Sequence, residues 1–176
     1  MQKRNAITRR RFVASTVSAA ALSAIPIAAK AKTSVQKDGL QGLTLTPYLL
    51  FDGTCRDAME FYQSCLGGDL ELTKVKDSAA RNQMPVFQQE KVLNARLRNG
   101  TLDIEASDWL RPAETPMRGN TMCMYLSGGN WHIVTEMFDR LAEGADITDP
   151  LKKEFFGYYG ALNDRYGVRW MFLSQN

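Results

Sequence analysis

The chain has 176 residues, 44% of them hydrophobic and 23% charged, which is the composition of one globular domain and speaks against a disordered chain. Its net charge of +3 misleads, because six of the 22 bases and none of the acids lie in residues 1–31. Residues 32–176 carry 16 bases against 19 acids, a balance that speaks against a nucleic-acid partner held by phosphate neutralisation, and the single His132 excludes any site built on several imidazoles.

Residues 1–11 are polar and basic, residues 12–29 are weakly apolar, and small residues follow. This order predicts an export signal. The apolar segment is diluted by Ser15, Thr16, Ser18, Ser23 and Pro26, too polar for a membrane span of about 20 apolar residues. Thr8-Arg9-Arg10-Arg11-Phe12-Val13 resembles a twin-arginine signal, with Val13 in place of its Leu. Ala29-Lys30-Ala31 offers a cleavage site, so the expected product is a periplasmic protein of about 145 residues cut near Ala31. It should keep no membrane anchor and meet the twin-arginine translocase only in transit. Residues 32–42 read as a polar, mobile lead-in.

Residues 43–51 read as a strand rich in Thr, Leu and Tyr. Thr54 with Asp57 predicts a helix start, and Ala58, Phe61, Tyr62, Cys65 and Leu66 form one apolar stripe. Gly67-Gly68 stops that helix. Cys55 and Cys65 then lie about 15 Å apart along one axis, too far for a disulfide. A first-turn position can lower the Cys55 thiol pKa, although an inert small residue is the simpler reading. Strands at 69–76, 92–98 and 101–107 follow, the last two joined by the hairpin signal Asn99-Gly100. The stretch 77–91 between them is long enough for a lid and equally ordinary as an exposed connection. The segment 111–120, with Pro112, Pro116 and Gly119, reads as a linker.

A shift of 76 residues repeats the pattern. Thr54 becomes Asn130, the stripe becomes Val134, Met137, Phe138 and Leu141, and Gly68 becomes Gly144. Strands at 121–127, 145–148, 158–162 and 168–173 complete a second β-α-β-β-β unit, the last reached through Asp164-Arg165-Tyr166-Gly167. Shared cap, stripe and stop indicate a duplication. Neither half, at about 60 residues, buries a comfortable core alone, so the two should pair. His132 sits about 200° around its helix from the stripe and points to solvent or a partner.

Thr46-Pro47-Tyr48-Leu49, Phe51, Gly53, Ala58, Phe61-Tyr62, Gly67-Gly68, Ser107-Asp108, Tyr159-Gly160, Asp164, Tyr166-Gly167-Val168 and Trp170 together resemble the PhnB-like family of the vicinal-oxygen-chelate superfamily. The resemblance spans 43–174 and implies an α+β glyoxalase/bleomycin-resistance-like fold. Its modules, 43–110 and 120–174, would form a curved mixed sheet with a concave cleft, and a homodimer is expected. Metal-dependent members of the superfamily hold an ion with His and Glu from the first and last strand of each module. Here those positions fall on Pro47, Glu105, Met171 and, by the repeat, near Cys123. One carboxylate and one thiol make no standard site, so no cofactor is expected, with a divalent metal left open. A His common in the third strand of such families is replaced by Asn94.

On the fourth strand Asp103 and Glu105 alternate with Leu102, Ile104 and Ala106, which predicts an acidic face toward the cleft. Carboxylates two apart on a strand stand about 7 Å apart, close enough for one to act as acid or base, and Glu105 is the catalytic candidate. The same pattern describes a plain solvated face. Tyr48, Phe51, Phe155, Phe156, Tyr158, Tyr159 and Trp170 either wall an apolar pocket or fill the core. The expected cleft residues are thus Tyr48, Asn94, Asp103, Glu105, Cys123, Tyr159, Trp170 and Met171. The preferred function is metal-free binding of a small, aromatic or cationic molecule. The alternatives are a lyase, isomerase or dioxygenase-type enzyme, metal-dependent or using Glu105, and a non-catalytic structural dimer.

Overall fold

A computed structural model describes residues 42–111, 113–117 and 119–175, so the expected export signal and nearly all of the lead-in lie outside the described residues. The first half runs β1 (Tyr48–Phe51), α1 (Cys55–Leu66), β2 (Asp69–Lys74), β3 (Val92–Asn99) and β4 (Leu102–Asp108). The second runs β5 (Met124–Ser127), α2 (Trp131–Leu141), β6 (Asp146–Glu154), β7 (Gly157–Asn163) and β8 (Arg169–Ser174). Each half is a four-stranded mixed sheet, ordered β1-β4-β3-β2 and β5-β8-β7-β6, with the first and last strands parallel and the rest antiparallel. This is the expected α+β fold, built as two sheets. Between β2 and β3 the chain makes three short 3₁₀ turns.

The apolar stripes dictate how the halves meet. Ala58, Met59, Tyr62, Cys65 and Leu66 of α1 are buried, and so are Val134, Phe138 and Leu141 of α2. They join Phe51, Leu97, Ile104, Leu162, Trp170 and Phe172 in one cluster that spans both modules. Phe61 is only partly buried, and Met59, off the expected stripe, is fully buried in the cluster. Arg140 donates to the Ser64 carbonyl at 3.1 Å, and these two residues are 76 apart. The repeat axis therefore passes between the helices.

Three local departures have physical causes. Thr54 makes no side-chain cap; the Asp108 carboxylate at the end of β4 takes that place and accepts from Cys55 N at 3.0 Å. Asn130 does cap α2, accepting from His132 N at 2.9 Å. The β3–β4 loop is Gly100-Thr101, one residue later than expected, with Gly100 at φ +58° in the first loop position. Strand β6 runs on past Pro150, because it is a sheet edge where two register shifts absorb a residue without an N–H.

Candidate functional site

Each sheet turns one face toward the helices and leaves the other open. On β4 the alternation holds: Ile104 and Ala106 are buried against the core while Asp103 and Glu105 point to the open face. The β3–β4 register places Arg96 opposite Glu105 and Arg98 opposite Asp103. Arg96 donates through Nε and Nη2 to the two oxygens of Asp103, at 2.9 and 2.6 Å, and its Nε lies 3.6 Å from Glu105. The hydrogen bonds from Arg96 hold the Asp103 carboxyl below its ordinary range. The acidic pair thus shares one guanidinium, which offsets one of its two charges and is held mainly by Asp103.

Tyr48 stands opposite Glu105 and Leu50 opposite Ser107. These two and Tyr125 on β5 keep 46%, 43% and 51% of their surface exposed, an apolar and phenolic lining beside the charged patch. Asn94 is exposed on the same strand face as Arg96, across from Thr73. In the second module Tyr125 pairs with Met171, and Tyr159 pairs with Leu173 on the same open face. Tyr159 packs edge-on against Phe156 at 5.9 Å. A cavity of about 250 Å³ lies where Pro47 and Thr101–Ile104 meet Cys123–Leu126.

Trp170 is 1% exposed and packs on Tyr62 at 5.4 Å, and it also borders that cavity from the core side. Its place was set by the alternation of β8, whose Trp170 and Phe172 face inward. Phe51 is likewise core, Phe155 is 98% exposed, and Tyr158 stacks on Trp131 at 5.2 Å. His132 is exposed and lies against the Trp131 ring, away from the site. Arg96 and Arg169 are open-face residues that the sequence reading passed over. Arg96 was legible, since the hairpin and the spacing Asn94, Arg96, Arg98 put it beside the carboxylates.

The four positions at which relatives would hold a metal do not make a divalent site here. Pro47 offers only its carbonyl, which accepts from Glu105 N at 3.1 Å. Glu105 is drawn to Arg96. Cys123 Sγ donates to Met171 Sδ at 3.2 Å. Among the described residues no three His, Cys, Asp or Glu side chains gather as a metal site. Glu105 is the one carboxylate among the four positions, and a thiol and a thioether beside it do not complete the donor set of a divalent ion.

Two buried carboxylates brace the site from behind. Asp108, 3% exposed, also accepts from Val92 N at 2.7 Å, so it ties α1, β3 and β4 together. Burial and the Asp108 charge push the Cys55 thiol up to about 12, the reverse of an activated first-turn cysteine. Asp164, 4% exposed, accepts from Tyr62 Oη (2.6 Å) and Trp170 Nε1 (2.8 Å) through one oxygen. Its other oxygen accepts from Tyr166 N (2.8 Å) and Val168 N (3.0 Å). Burial and Asp164 raise the Tyr62 phenol well above its ordinary range.

Paired β-α-β-β-β modules, joined on their helical sides and open on the others, define a glyoxalase/bleomycin-resistance-like protein. The chain belongs to the Glyoxalase/Bleomycin resistance protein/Dioxygenase superfamily, whose pattern matches residues 44–172. Protein YjdN of Escherichia coli (strain K12) is 29% identical over 143 residues, covering 73% of this chain and 93% of that protein. Among solved structures, protein PA1353 from Pseudomonas aeruginosa is 34% identical with a TM-score of 0.65, covering 76% of this chain and 98% of that one. The PhnB protein from Bacillus cereus has the same fold at 23% identity and a TM-score of 0.60, covering 75% and 99%.

Proposed function

We propose that this chain is an exported, PhnB-like binding protein that takes a small aromatic molecule bearing a cationic group into the cleft of its open face, without a divalent ion. The observation that carries the reading is the Arg96–Asp103–Glu105 cluster beside half-exposed Tyr48 and Tyr125. Phenol rings supply flat apolar area, and the carboxylates around Arg96 supply acceptors for a ligand N–H. A cationic head competes with Arg96 for those oxygens. The basic, weakly apolar N-terminus supports export by the twin-arginine route to the periplasm. Exposed Tyr48, Leu50 and Tyr125 support a homodimer in which a second copy closes the cleft.

Thermal unfolding of the full chain, screened against aromatic amines and their neutral counterparts, tests this. A true ligand at a hundredfold excess over Kd stabilises by about 2.7 kcal/mol. Tyr125→Ala and Glu105→Gln should remove that stabilisation while leaving the unliganded midpoint within a degree or two. A screen in which amines and neutral counterparts shift the chain equally would overturn the charge-based selectivity. Near-stoichiometric nickel, zinc, manganese or iron that is lost in Glu105→Ala would replace the reading with a metal-dependent enzyme.

A further inference from the structure

On the second module's open face, sulfur stands where harder donors would be needed for a divalent ion. Cys123 lies two residues before Tyr125, Tyr125 pairs with Met171, and the parallel β5–β8 ladder brings thiol and thioether to 3.2 Å. The pair is not sealed in the core. Both residues are half-buried, and Cys123 borders the cavity of about 250 Å³ together with Pro47, Asp103 and Tyr125. An ion therefore has a way in from the cavity.

Thiolate and thioether are soft donors, suited to Cu(I) rather than to Mg, Ca or Mn. Two sulfurs leave a divalent ion far short of four ligands, but a monovalent d¹⁰ ion accepts two-fold coordination. We propose that Cys123 and Met171 form a binding site for a soft monovalent ion, Cu(I) or Ag(I). On binding, the Sγ–H bond breaks and its proton passes to solvent, while thiolate and thioether each donate a lone pair to the ion. No electron changes hands, and no co-reactant is consumed. With metal–sulfur bonds of about 2.3 Å, the sulfurs must open from 3.2 Å to roughly 4 Å or more. The unbranched Met171 side chain supplies that movement. The two other thiols do not compete, since Cys55 and Cys65 are buried and raised by that burial. This site does not depend on whether the cleft also takes an organic molecule.

The test is competition for Cu(I) held by bicinchoninate, with the reduced full chain under argon. The chain should withdraw one equivalent and release one proton. Cys123→Ser and Met171→Leu should each weaken retention at least tenfold. Failure to withdraw copper overturns the proposal, and so does Met171→Leu binding as tightly as the parent, which would reduce the site to a single thiol. Either variant can fail to fold, so the unaltered chain provides a second reading. One equivalent of Ag(I) should protect the Cys123 peptide from iodoacetamide, and equal labelling with and without silver refutes the site.

Discussion

Among the described residues Asp164 collects four donors and no cation, so its carboxylate is answered by neutral N–H and O–H groups. Such a group stabilises through charge-assisted hydrogen bonds and becomes costly once its geometry is spoiled. Asp164→Asn turns an amide toward at least one donor pair and should lower stability by about 3 kcal/mol, read as a lower urea midpoint at unchanged slope. Tyr62→Phe leaves Asp164 with three donors and should cost about 1.5 kcal/mol. Cys55 makes a pH prediction. Its thiol is raised from 9.0 to about 12, so its contribution is complete below pH 9 and is lost as pH climbs toward 12. Over that window stability should fall by up to about 1.4 kcal/mol per pH unit. Urea midpoints measured from pH 8 to 11 should fall less steeply in Cys55→Ala than in the parent. Arg96 could be read from strand spacing, whereas the Tyr62–Asp164 bond joins residues 102 apart and leaves no periodic trace.

At the scale of the element, patterning located both helices and all eight strands, and errors arose where one element borrows from another. The expected start of α1 named the right turn but the wrong cap. The carboxylate that accepts from Cys55 N comes from Asp108, 53 residues away on β4. Asp108→Ala removes the acceptors for Cys55 N and Val92 N together and should cost about 2–3 kcal/mol. Helicity should fray from residue 55 onward, measured as faster amide exchange in the first turn of α1. The other end of the helix follows the sequence reading closely. Gly68 has φ +97°, and a Cβ there would overlap the Arg98 carbonyl oxygen. Asn99, the hairpin residue beside it, donates to the Leu66 carbonyl at 2.7 Å. The hairpin signal Asn99-Gly100 thus served two purposes, since Asn99 closes a helix while Gly100 turns the chain. That double duty explains why the loop slipped one residue from its expected place. Strand β6 runs on past its expected end at 148 because it is an edge, as the sheet order reveals, where Pro150 costs no inner hydrogen bond.

For the molecule as a whole, the duplication was the most legible feature, because cap, stripe and stop recur at one interval. The same interval was too coarse for the site. The helices repeat at 76 residues, but the buried faces of the leading strands repeat at 75, since Leu49 and Phe51 correspond to Met124 and Leu126. One residue reverses which side of a strand a side chain occupies. A count along the chain therefore placed the thiol position only approximately, and the open face had to be read from the ladders. The shared core has a further consequence. Both helices and both sheets bury their apolar sides against each other, and none of the described residues of the connection through 111–120 is a member of the core cluster. Covalent continuity is then dispensable where tertiary packing already specifies the assembly. Nicked in that connector, the molecule should persist as a stoichiometric two-chain complex. Each fragment made separately should be largely unfolded, and mixing the two should restore cooperative unfolding. Complementation of this kind would show that the two modules recognise each other through their buried faces alone, without the peptide bond between them.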